Sequence, residues 1–138
     1  ATLWDAATGT QLCELQRHSA NLEAAEVFPF GSKVVTGGID DLAVVWNATS
    51  CEPLLELRHA DWVTGLAVLE RGATVATITS DGGVALWSAT TGEQLHLLVQ
   101  PTPHQHGQLD FGLLPFPLGD RLLTFNVREA IIWDVADG

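Results

Sequence analysis

The sequence predicts an all-β protein built from repeated four-stranded sheets, on three observations. Four tryptophans, Trp4, Trp46, Trp87 and Trp133, close short apolar runs at spacings of 42, 41 and 46 residues, the period of one four-stranded unit. The residues after each Trp also recur: Trp4-Asp-Ala-Ala-Thr-Gly-Thr-Gln-Leu12, Trp46-Asn-Ala-Thr-Ser-Cys-Glu-Pro-Leu54 and Trp87-Ser-Ala-Thr-Thr-Gly-Glu-Gln-Leu95, so that each Leu reopens a strand in register. Between these points the chain reads as runs of about five or six residues bounded by turn signals, with no sustained 3.6-residue apolar period.

Residues 1–16 read as the last two strands of a preceding unit. Residues 17–58 form a repeat that runs from His18 to Trp46 with an outer strand after it, and 59–100 repeat the pattern from His59 to Trp87. Residues 101–138 are a degenerate copy ending at Trp133. The inner strands, Ala24 to Phe28 and Gly65 to Leu69, are mainly small or apolar. The run Val84-Ala85-Leu86-Trp87 is apolar on both faces, as expected of a strand packed between two sheets.

Two periods carry the same polar set. His18, Thr36, Asp40 and Trp46 are separated by 18, 4 and 6 residues, and so are His59, Thr77, Asp81 and Trp87. An indole and an imidazole can be buried only if their polar atoms find partners, because an unsatisfied buried group costs about 1–3 kcal/mol. The Thr hydroxyl can accept from the indole and bond the His; the Asp, in the turn between the two strands, can accept the other imidazole N–H and fix its tautomer. A three-residue turn is expected to set Thr36 directly opposite Trp46. In the last period the matching positions hold Gln105, Leu123 and Val127, so this unit is expected to hold by packing alone; a one-residue slip would put Asn126 in the Asp role.

The polar set, with Val35-Thr-Gly-Gly-Ile-Asp-Asp-Leu-Ala-Val-Val-Trp-Asn47 and Ala76-Thr-Ile-Thr-Ser-Asp-Gly-Gly-Val-Ala-Leu-Trp-Ser88, resembles the signature of the WD-repeat family. The resemblance covers the whole chain. Departures are Arg17 and Arg58, where the family has Gly before His, and the residue after Trp, which is Asp only at Asp5 and Asp134. The resemblance implies a partial β-propeller of about three four-stranded blades in an incomplete ring. It also implies a protein–protein interaction scaffold whose partners dock on one rim, three and five residues after each His and just before each turn Asp. Those positions hold Asn21, Glu23 and Ile39, then Trp62, Thr64 and Ser80. Trp62 is the one Trp outside the repeating strand position, and a rim aromatic is a common binding hot spot. The plainer reading is that it packs on a neighbouring blade's loop.

Three periods are too few to close a ring, since propellers typically have four to eight blades. The remaining blades are expected from the rest of a longer polypeptide or from partner subunits. No Met occurs, position 1 included, so the chain reads as an excerpt or processed region of something larger.

Composition bounds the other function classes. The 138 residues are 46% hydrophobic and 17% charged, enough for a true core. The net charge of -11 repels phosphate, so neither nucleic acid nor an anionic membrane is an expected partner; solubility alone accounts for the acidity. No apolar run approaches the roughly 20 residues that span a bilayer, and no signal peptide is legible. Cys13 and Cys51 fall at non-equivalent places in neighbouring repeats, which argues against a disulfide and for a reducing compartment; an intracellular, cytoplasmic location is expected. Asn47-Ala-Thr49 is formally a glycosylation sequon, read as a chance occurrence beside a buried strand.

No enzyme is expected, and no cofactor. A His, an Asp and a Thr within bonding range invite a catalytic reading, but the constellation recurs and burial explains it, whereas a nucleophile needs an open cleft and an oxyanion hole. The lengthened connection Pro101-Thr-Pro-His-Gln-His-Gly-Gln108 brings His104, His106 and Asp110 close in sequence; without a well-placed third ligand it reads as a Pro-stiffened loop, not a metal site. The competing readings are a passive architectural blade set in a large assembly and, less favoured, a ligand-sensing or enzymatic propeller.

Overall fold

In a computed structural model of the chain, which describes residues 1–99, 112–126 and 129–135, every regular element apart from two single 3-10 turns is a strand. The order is β1 (Thr2–Trp4), β2 (Gln11–Glu14), β3 (Leu22–Val27), β4 (Lys33–Gly38), β5 (Leu42–Asn47), β6 (Pro53–Arg58), β7 (Val63–Leu69), β8 (Thr74–Thr79), β9 (Val84–Ser88), β10 (Gln94–Val99), β11 (Gly112–Pro115), β12 (Arg121–Phe125) and β13 (Ala130–Asp134). Strands that follow one another pair antiparallel, giving sheets β1-β2, β3-β4-β5-β6, β7-β8-β9-β10 and β11-β12-β13. The first strands of successive sheets face one another, β3 against β7 and β7 against β11. The sheets therefore stand side by side as blades from a common axis, and the described residues form no closed ring.

Burial follows from this stacking. The middle strands β4, β5, β8 and β9 are apolar on both faces because each face meets another blade, and Val34, Val35, Val44, Val45, Val75, Ile78 and Leu86 are all buried. Each seam has its own cluster. Leu15, Val34, Val44 and Trp46 pack with Leu3, Cys13 and Cys51 between the β1-β2 sheet and the first complete blade. Phe28, Val35, Val45, Leu57, Val63 and Trp87 fill the second seam, and Leu69, Leu86, Leu122, Val135 and Trp133 the third. Trp46, Trp87 and Trp133 thus each point at the blade before their own. The seams are tight: a Cβ on Gly37 would come within 2.6 Å of Val63 Cγ1.

The turns after the first three tryptophans share one construction. Asp5 Oδ1 accepts from Ala7 N and Thr8 N, Asn47 Oδ1 from Thr49 N and Ser50 N, and Ser88 Oγ from Thr90 N and Thr91 N. The backbone N–H groups next to Asp5, those of Thr8 and Ala7, hold its carboxyl below the ordinary Asp value. The loss of Asp after Trp46 and Trp87 is therefore chemically neutral, since any short side-chain acceptor caps this turn.

One expectation is overturned here. Cys13 and Cys51 are joined by a disulfide, with Cα atoms 6.4 Å apart, inside the range that a disulfide spans. Non-equivalence in the repeat gave the wrong answer because blades are related by rotation. Here the outer strand of one blade meets the turn of the next, so this seam contact joins unlike positions. The support that unpaired cysteines lent to a reducing compartment goes with it.

Candidate functional site

Two groups of residues stand out: the buried polar sets that tie each blade together, and the rim they support. In the first complete blade the Trp46 indole donates to Thr36 Oγ1 at 2.8 Å, and Thr36 Oγ1 lies 2.8 Å from His18 Nε2. His18 Nδ1 meets both carboxylate oxygens of Asp40, at 2.9 and 3.1 Å. With the carboxylate fixing the proton on Nδ1, Nε2 accepts from the Thr36 hydroxyl, which in turn accepts from the indole. All donors are used. Burial pushes the Asp40 carboxyl up, but its hydrogen bonds from His18 and from Ser19 N outweigh this and hold it below the ordinary value. The side chains of His18 and Asp40 are 5% and 4% exposed.

The register corrects how this set is built. Three residues do separate β4 from β5, yet Thr36 pairs with Val44 and Trp46 with Val34. Thr36 and Trp46 are thus diagonal neighbours on one face rather than opposite each other. The long indole spans the diagonal.

The second blade repeats half of the arrangement. Trp87 Nε1 donates to Thr77 Oγ1 at 2.9 Å, and Thr77 Oγ1 is 3.0 Å from His59 Nε2. His59 Nδ1, however, donates to the Leu57 carbonyl at 3.0 Å, while Asp81 Oδ1 accepts from the Thr79 hydroxyl at 2.5 Å and from Gly83 N at 3.1 Å. The first blade has Gly38 where the second has Thr79, so only Asp81 meets a competing hydroxyl. A cleft of about 210 Å³ opens over this set, lined by His59, Thr77, Thr79, Asp81 and Trp87 among others.

Burial pushes the His59 imidazole down to about 4, against 6.5 in the unfolded chain; backbone bonds and the Asp81 charge only partly offset this. The unfolded chain then binds a proton between pH 6.5 and about 4 that the folded one refuses. Stability should be flat above pH 7 and fall with pH through that window, by up to about 3 kcal/mol at its acid end. Urea midpoints at a series of pH values, with His59→Gln as the comparison, check this: the variant should lose about one proton's worth of slope, and an unchanged slope would refute it.

The degenerate blade does not hold by packing alone. Trp133 Nε1 donates to Thr124 Oγ1 at 2.8 Å. Thr124 lies nine residues before its Trp rather than ten, but the sheet pairs Leu122 with Trp133 and Thr124 with Ile131, the same diagonal relation that joins Thr36 to Trp46. The hairpin is one residue shorter, so a fixed offset from Trp falls on Leu123. Asn126 closes this turn, its Oδ1 accepting from Glu129 N at 3.0 Å. Gln105 and Val127 lie outside the described residues, as do His104, His106 and Asp110. Among the described residues no three His, Cys, Asp or Glu side chains are placed to hold a metal ion.

The rim residues come together at one end of each blade. Ile39 N donates to Asn21 O and Ser80 N to Trp62 O, both at 2.9 Å, so the turn position and the position three residues after His are fastened side by side in both blades. Glu23 and Thr64 are the extra residues where register shifts, between Leu22 and Ala24 on β3 and between Val63 and Gly65 on β7. Sequence reading missed these bulges, whose effect is to re-aim a side chain. Asn21, Glu23 and Trp62 are exposed; Ile39, Thr64 and Ser80 are half-buried, and Thr64 Oγ1 donates to Ile78 O at 3.3 Å. Trp62 is 46% exposed, and its backbone N–H donates to Asp61 Oδ1 at 2.8 Å.

Antiparallel blades standing side by side, three of them tied by a Trp–Thr bond and two of those also by His, define a set of propeller blades, and the chain belongs to the WD-repeat family. It is 31% identical over 105 residues to WD repeat-containing protein 18 of Danio rerio, covering 67% of this chain and 24% of that protein. It is 24% identical over 139 residues to Periodic tryptophan protein 2 of Arabidopsis thaliana, covering 99% and 15%, and 25% identical over 96 residues to Pre-mRNA-splicing factor cwf17 of Schizosaccharomyces pombe, covering 69% and 28%. The chain therefore spans under a third of each of these relatives. No family model matches it.

Proposed function

We propose that the chain is a rigid blade array of a larger WD-repeat protein and that its rim holds protein or peptide partners, with Trp62 and Ile39 as anchors. The WD-repeat relatives support an interaction role in general terms. The observation that carries the finer reading is Trp62 itself: a large aromatic, nearly half exposed, on a backbone locked to Ser80 across the bulged end of a blade. An aromatic held in one place loses little entropy on binding, which is what makes such residues hot spots. The His, Asp and Thr side chains that would serve chemistry are occupied in burying the tryptophans, so no catalytic role is proposed. One relative is named as a pre-mRNA-splicing factor, and the location we propose is intracellular without restriction to the cytoplasm.

Affinity recovery with the intact protein and with Trp62→Ala tests this. At least one partner should be lost by about tenfold or more in affinity, a loss of about 1.4 kcal/mol. If every partner is retained at unchanged affinity, the rim assignment is wrong. No helix among the described residues is long and apolar enough to cross a membrane.

A further inference from the structure

The disulfide sits at a backbone position that a cysteine occupies only under strain. In the turns after Trp4, Trp46 and Trp87, the fifth residue after Trp is Gly9, Cys51 and Gly92. All three are left-handed, with φ of 70°, 63° and 77°. All three make the same bond, donating their backbone N–H to the residue after Trp: Gly9 to Asp5 O at 2.8 Å, Cys51 to Asn47 O at 2.9 Å and Gly92 to Ser88 O at 2.9 Å. Glycine enters this conformation freely, whereas a Cβ crowds the following carbonyl. With a free thiol, Cys51 is therefore worse for its turn than the glycine of the sister turns, and the bond to Cys13 offsets that disadvantage.

The bond also fastens a particular seam. Cys13 is on β2, and Cys51 lies in the turn between β5 and β6, so the link crosses from the two-stranded sheet to the first complete blade, beside the cluster of Leu15, Val34, Val44 and Trp46. The chain has no third cysteine, so the other seams cannot be linked in this way and no rival pairing exists within it. Both cysteines are half-buried, and Thr49, Ser50 and Glu52 around Cys51 are exposed, so the turn that carries Cys51 lies at the surface.

We propose that Cys13 and Cys51 form a thiol–disulfide exchange site, which takes a low-molecular-weight thiol of the glutathione class and thereby releases or fastens this blade seam. The thiolate attacks Sγ of Cys51, forming a mixed disulfide, and Cys13 leaves as a thiolate that takes up a proton. A second small thiol then attacks the mixed disulfide, freeing Cys51 and leaving as the small-molecule disulfide. Two small thiols are oxidised and one protein disulfide is reduced; the reverse sequence relinks the seam. On reduction the turn loses its tether while keeping its strained cysteine, and β1-β2 is left docked on the apolar cluster of Leu15, Val34, Val44 and Trp46.

The test equilibrates the intact protein across a series of reduced-to-oxidised glutathione ratios, traps free thiols by alkylation and maps the tryptic peptides. Cleavage after Arg17, Lys33 and Arg58 puts the two cysteines on different peptides, so the link is read directly. Amide exchange is followed in parallel. The linked fraction should pass from full to nil within the series, and exchange at Gln11–Glu14 should rise with reduction by tenfold or more, within a ceiling of several hundredfold set by chain entropy, while β8 and β9 stay protected. Cys51→Gly, which suits the left-handed turn, should keep the fold and show the fast β2 exchange at every ratio. A link that persists at all ratios, thiols alkylated at all ratios, or a changing link with unchanged β2 exchange would each overturn the proposal.

Discussion

Trp46→Ala should destabilise the protein by about 3–5 kcal/mol, the largest effect expected of any single substitution at a repeating position. Trp46 is 1% exposed and does two things at once. Its ring fills the first seam beside Leu15, Val34 and Val44, so truncation leaves a void that surrounding sheets, fixed by their own ladders, cannot close. Its indole N–H also donates to the Thr36 hydroxyl oxygen, which would lose that donor. Trp62→Ala is the matched control: the same atoms are removed from a rim position, and stability should change by under about 1 kcal/mol. Urea denaturation of both variants decides it. Similar losses from the two would mean that the repeating Trp is not the seam's principal filler.

Thr36→Val should cost about 2–4 kcal/mol although it changes the side-chain volume very little. The hydroxyl is fully buried and stands between two groups, accepting from Trp46 Nε1 and bonding His18 Nε2, each at 2.8 Å. Valine leaves both unsatisfied where water cannot reach, at about 1–3 kcal/mol for each group. Thr124→Val in the last blade takes the acceptor from the half-buried Trp133 indole, and should cost about 1 kcal/mol. Equal losses at the two sites, measured by chemical denaturation, would show that the joint between His and Trp adds nothing to the Trp–Thr bond.

Both expectations concern residues legible in the amino-acid sequence, because the set repeats in type and spacing and buried polar atoms require partners. The features that were not legible have definite physical causes. Thr124 is hidden because a hairpin shortened by one residue preserves the diagonal across the sheet while changing the offset along the chain. Asp81 departs from Asp40 because Thr79 brings a hydroxyl where Gly38 brings none, a difference between neighbours in space that repeat alignment treats as an ordinary substitution. The bulges at Glu23 and Thr64 leave no mark in composition, yet they re-aim two of the rim side chains.

The amino-acid order alone determined the blade: the period of the tryptophans, the turns that close it, the apolar middle strands and the polar atoms that must meet inside. These are local requirements, set by strand periodicity, turn conformation and the cost of burying an unpaired donor. Only the tertiary structure decided how one blade meets the next. Adjacent blades are turned relative to each other, so their shared surface can join residues that no repeat alignment pairs, and this is why Cys13 finds Cys51.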